Sequence, residues 1–127
     1  MPADPGIYLQ DILDSIAGVR MAIGEADFDS YGENRPMRRA VEREIEIISE
    51  AARRIPHELR EMEPDIPWGE IAGISNVLRH DYQIVSDTIM WNVVKTHIPA
   101  LEAAVNRIIN RVGGYGDSNI NQQQKLY

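Results

Sequence analysis

The stretch Gly73–Trp91, GISNVLRHDYQIVSDTIMW, decides how the rest of the chain is read. Between Ser75 and Tyr82 it sets a hydroxyl, an amide, a guanidinium, an imidazole and a phenol. Upstream, Ile71, Ile74 and Leu78 recur at helical spacing, so the polar groups stand at the far end of a buried helix. Downstream, Ser86 and Asp87 read as the start of the next helix. His80 and Tyr82 are therefore expected near a helix-to-helix corner, where a rigid scaffold can hold reactive side chains at an open end.

Outward from this stretch the pattern stays helical. Asp4-Pro5 is an N-cap followed by a first-turn proline, and it opens a helix reaching about Gly24. Its apolar stripe is Ile12, Leu13, Ile16, Val19 and Ile23. Asp27 to Asn34 is polar and reads as a loop. Asn34-Arg35-Pro36 opens a second helix with Met37, Val41, Ile45, Ile48, Ala52 and Ile55 on one face. The opposite face is densely charged and reads as solvated, with Arg38–Glu42 and Glu50–Arg54 as attractive pairs.

His57 to Met62 is a short helix, and Ile66-Pro67-Trp68 is a stiff connector with Trp68 as a core or interface anchor. The helix after Pro67 carries Ile71, Ile74, Val77 and Leu78. The next spans about Ser86 to Thr96 and buries Ile89, Met90, Val93 and Val94. Pro99 breaks or kinks it, and Leu101, Val105, Ile108 and Val112 carry the stripe to Gly113-Gly114. Strand alternation and internal repeats are absent. The spacing predicts an all-α, antiparallel bundle of four to five helices over residues 1–112, with a polar, flexible tail over 113–127.

A chain of 127 residues with 43% hydrophobic and 26% charged residues suits one globular core. It lacks an apolar run long enough to span a bilayer, and its first residues do not read as a signal peptide. Without cysteine, disulfides and thiolate metal sites are excluded, and a cytoplasmic setting is expected. The net charge of -7 argues against a broadly basic nucleic-acid surface. Residues 1–64 hold 8 basic and 14 acidic side chains; residues 65–127 hold 5 and 6. The acidic load is on the first half, away in sequence from the central stretch, and any RNA contact there is expected to be local.

Several chemistries drop out. The histidines at 57, 80 and 97 are too dispersed for a helical zinc pair, and no metal or other cofactor is expected. The glycine-containing stretches lack the strand that a phosphate loop follows, and a serine-hydrolase elbow is missing. What remains is Ser75-Asn76-x-x-x-His80-Asp81-Tyr82.

In that setting the chain resembles the HEPN toxins of the HepT kind, the toxin half of HEPN/MNT toxin–antitoxin pairs. The similarity covers roughly residues 7 to 109. It includes YLQDILDSI, IISEAARRIP, the IPWGEIAGI approach, the N-x-x-x-H-x-Y run and the ending DTIMWNVVKTHIPALEAAV. The resemblance implies a symmetric homodimer whose facing motifs form a metal-independent endoribonuclease site for tRNA or mRNA. It also implies an MNT nucleotidyltransferase antitoxin that silences the toxin by transferring AMP to the motif tyrosine. Asn76, His80 and Tyr82 match the motif Arg-Asn-x-x-x-His-x-Tyr. The motif arginine does not: position 75 is Ser75.

An arginine there would grip phosphate with two hydrogen bonds, and its loss typically costs about a hundredfold in rate. Arg79 is a possible substitute, one helical turn away. The alternative is a catalytically inactive homologue, a dimeric binding partner of the nucleotidyltransferase that cleaves nothing.

Overall fold

The computed structural model describes residues 4–80 and 85–113. Helix α1 spans Pro5–Ile23, α2 Phe28–Glu33, α3 Arg35–Arg53, α4 His57–Arg60, α5 Trp68–His80, α6 Asp87–Asn92 and α7 Ile98–Val112. A π-helical turn, Val93–His97, joins α6 to α7 without a break. Among the described residues there is no strand, and no helix is long and apolar enough to cross a membrane.

The ends of α1 follow from its sequence. Asp4 Oδ1 accepts the Gly6 N–H at 2.9 Å, and Pro5 fills a position whose missing N–H costs nothing. Gly24 ends the helix with φ 54°, a left-handed value that glycine adopts without a Cβ clash. Leu9, Ile12, Ile16 and Val19 are fully buried, while Leu13 lies at the edge of the core. Each such buried side chain contributes roughly 1.5–3 kcal/mol. This face meets α3, whose Val41, Ile45, Ile48 and Ala52 are buried in return. Helix α3 also packs on α5, and α1 on α7. Arg20 of α1 forks onto Glu102 of α7 with two 2.7 Å bonds.

Four expectations need correction. Asp27–Asn34 is not a loop: Asp27 Oδ1 caps the Ser30 N–H at 2.8 Å and starts α2, which buries Tyr31. Six helical residues are too few for periodicity to reveal, so only the cap could have signalled them. Ile89 is 51% exposed rather than buried, and Val77 likewise faces solvent. On α3, Arg39 pairs with Glu42 at 2.9 Å, while Arg38 turns to the Gly32 carbonyl and to Asp87. Finally, Pro99 does not break the last helix. A proline ring in a regular helix would crowd the carbonyl four residues back, and Val93–His97, the wider π turn immediately before α7, relieves that crowding.

A clasp ties the corner before α5 to α7. Glu63 is buried, and Arg107 reaches it with Nη2–Oε1 at 2.6 Å and Nε at 3.1 Å from both oxygens. Arg111 Nη1 donates to the Met62 carbonyl at 3.1 Å. Trp68, at the start of α5, donates its indole N–H to the carbonyls of Arg60 at 3.1 Å and Glu63 at 3.0 Å. These contacts fix where α5 begins, and hence where its far end points.

Candidate active site

The last turns of α5 present two faces. Ser75 and Arg79 are four residues apart and share one flank; Asn76 and His80 share the next. The Ser75 flank turns toward α3, and Ser75 is fully buried. Asn76 and His80 are exposed. His80 is the last described residue of α5, and the expected helix-to-helix corner lies outside the described residues. Tyr82 lies outside the described residues.

Ser75 stands in a polar network between the two helices. Its hydroxyl donates to Glu50 Oε1 at 2.9 Å and accepts from Arg53 Nη2 at 3.3 Å. Its backbone N–H donates to Ser49 Oγ at 3.0 Å, and Ser49 donates to the Ala72 carbonyl at 3.0 Å. Arg53 Nη2 also donates to Ala72 O, at 2.6 Å. Arg79 Nη1 lies 3.3 Å from the same Glu50 Oε1, and Arg53 Nε lies 3.9 Å from Oε2. Small side chains at Ser49, Ala72 and Ser75 let α3 and α5 approach closely enough for these bonds.

The network lowers the Glu50 carboxyl below the ordinary glutamate range. The Ser75 hydrogen bond contributes most, with the charges of Arg53 and Arg79 acting in the same direction. This corrects the reading that the acidic half lies apart from the site. Glu50 belongs to that half, and the crossing of α3 on α5 brings it against Ser75. Sequence inspection missed Glu50 and Arg53, because both sit among many charges on the α3 face and nothing local singles them out.

A shallow cavity of about 250 Å³ flanks the network, with Tyr8, Arg43, Glu50, Arg54 and Arg79 in its lining. A larger one, about 460 Å³, is apolar and lies along the first half of α5, against Ile48, Ile71, Val93 and Leu101. It contains none of the α5 motif residues, so the mixed-charge end is the better candidate for chemistry. Among the described residues, no three His, Asp or Glu groups cluster in a way that could hold a metal ion. An exposed imidazole, a neighbouring amide and two guanidinium groups can move a proton beside a bound anion.

Residues 10–108 match the family described as HepT-like ribonuclease. The chain is 35% identical over 102 residues to MJ1380 of Methanocaldococcus jannaschii, which carries a provisional RNase name; the match covers 80% of this chain and 94% of that protein. It is 34% identical over 107 residues to TTE0752 of Caldanaerobacter subterraneus, also provisionally named an RNase, covering 84% and 96%. A Thermococcus cleftensis protein named "Probable ribonuclease HepT" is 33% identical over 101 residues, covering 80% and 92%. No solved structure matches. With a family match across most of its length and a mixed-charge site at the motif helix, the chain belongs to the HepT-like ribonuclease family.

Proposed function

We propose that this chain is the toxin of a toxin–antitoxin pair, a homodimeric endoribonuclease that cleaves tRNA or mRNA without a metal ion. The observation that carries this reading is the exposed pair Asn76 and His80 on the final turn of α5, at the register of the family motif. His80 takes the proton of an RNA 2′-hydroxyl as general base. The 2′-oxygen attacks the adjacent phosphorus, the bond to the 5′-oxygen breaks, and a cyclic phosphate remains. The leaving 5′-oxygen takes a proton from the His80 of a second copy. Asn76 orients the phosphate or the imidazole.

The partner in this reading is an MNT nucleotidyltransferase. The Tyr82 phenol oxygen attacks the α-phosphorus of ATP, pyrophosphate leaves, and the resulting AMP ester silences the toxin. Purified protein mixed with tRNA or mRNA tests the first part: His80→Ala is expected to abolish cleavage with the fold intact. Incubation with ATP and the nucleotidyltransferase tests the second. Mass spectrometry is expected to find AMP on the wild type and none on Tyr82→Phe; equal labelling of both would remove Tyr82 as acceptor.

A second reading, a binding subunit that cleaves nothing, is favoured by one observation: the motif arginine is replaced by a buried serine bonded to a carboxylate. Absence of cleavage even in Ser75→Arg would establish it.

A further inference from the structure

We propose that Arg53 of α3 and Arg79 of α5 together form a binding site for an RNA phosphodiester, replacing the arginine that the family motif places at position 75. The inference rests on the ribonuclease reading above, but it can fail or stand separately.

Three observations converge. The first is position. Arg53 Nη2 lies 3.3 Å from Ser75 Oγ, so a guanidinium already stands beside the atom from which a longer side chain at 75 would extend. The charge comes from another helix and stands at the foot of position 75. The second is alignment. Glu50 faces both cations, with Oε1 3.3 Å from Arg79 Nη1 and Oε2 3.9 Å from Arg53 Nε. The Ala72 carbonyl pins Arg53 at 2.6 Å. Groups held this way need little reorganisation when an anion arrives. One carboxylate between two guanidinium groups leaves those three groups net positive, and the adjoining cavity sets Arg43 and Arg54 against Asp11 and Glu46.

The third is access. The side chains of Arg53 and Arg79 are 51% and 48% exposed. The hydrogen bonds of the network use Nη2 of Arg53 and Nη1 of Arg79. A guanidinium carries five donors, so each has N–H groups beyond those for a phosphate oxygen. Asn76 is three residues from Arg79 and therefore its neighbour on the helix surface, and His80 follows Arg79 directly. A phosphate gripped here lies on the flank next to the one that carries Asn76 and His80. Ser75 is then no vacancy in the motif: its small side chain makes room for Arg53.

The test uses the full chain, cleavable RNA, and a 2′-O-methyl RNA oligonucleotide that binds but cannot be cut. Arg53→Ala and Arg79→Ala are each expected to slow cleavage about a hundredfold. Each should also weaken oligonucleotide binding and make the slope of log K against log salt shallower by about 0.7, one phosphate contact. His80→Ala should bind like the wild type. The decisive variant is Arg53→Ala combined with Ser75→Arg, which returns the charge to α5 without restoring the Ala72 contact. It is expected to regain cleavage and salt slope relative to Arg53→Ala. A merely structural Arg53 predicts no such rescue. Arg53→Lys, which keeps the charge and can still reach Ala72 O, guards against loss of fold and should be intermediate.

Cleavage unchanged in both arginine variants would overturn the phosphate site and leave the ribonuclease intact. A wild type that binds the oligonucleotide through both arginines yet never cleaves RNA would do the reverse. A wild type that neither binds nor cleaves would overturn both.

Discussion

At Ser75 the neighbours matter more than the residue type. The hydroxyl bonds to a carboxylate at 2.9 Å and receives a guanidinium at 3.3 Å, inside a fully buried position. Ser75→Ala leaves both partners short of one hydrogen bond. It is expected to lower stability by about 1–2 kcal/mol, checked by denaturant unfolding. Because the Ser75 bond is the largest influence lowering Glu50, the variant should also move the Glu50 titration upward toward the ordinary range, measurable by NMR. An unmoved Glu50 would mean that the arginines hold it alone. Asn76 and His80 could be picked from the sequence because a motif fixes their spacing along one helix. Arg53 could not, since it meets Ser75 across 22 residues and only through the crossing of α3 on α5.

Helix α5 contains two glycines, Gly69 and Gly73, and a Cβ added to either would meet nothing within 4 Å. In a helix interior glycine is about 0.8–1 kcal/mol less favourable than alanine. Gly73→Ala is therefore expected to raise the stability of the isolated subunit by roughly that amount, read from the unfolding midpoint. A loss instead would mean that another surface comes within Cβ reach of α5, as a closely packed second copy would. The long helices could be read in advance because caps and stripes agree along each of them. Helix α2 could not be, and neither could the π turn: a six-residue element has no period, and Pro99 announces a disturbance without saying which kind.

For the whole molecule, closure depends on contacts between distant segments. The Arg107–Glu63 fork holds the α4–α5 corner against α7, and the arginine lowers the Glu63 carboxyl below the ordinary glutamate range. A carboxylate lowered by folding stabilises the fold above the ordinary glutamate value of about 4.3, and that contribution is lost as pH falls through the lower folded-state value. Glu63→Gln is expected to destabilise the protein near neutrality and to flatten the fall of Tm with acid below about pH 4.3. It should not remove the fall, since Glu50 and Glu102 are lowered as well. Parallel pH profiles for variant and wild type would show that the fork contributes nothing to closure. The bundle class was plain from periodicity, whereas this fork joins residues 44 apart and leaves no local trace.

The Trp68 indole, wedged under two carbonyls at that corner, also gives the molecule an optical reporter. The other tryptophan, Trp91, is only partly buried and sits 5.3 Å from the Tyr31 ring and 4.9 Å from the Lys95 ammonium. With Trp91 changed to phenylalanine, emission would come from Trp68 alone. A red shift on adding RNA or nucleotidyltransferase would then reveal strain travelling back along α5, while a steady spectrum would confine the disturbance to the helix tip.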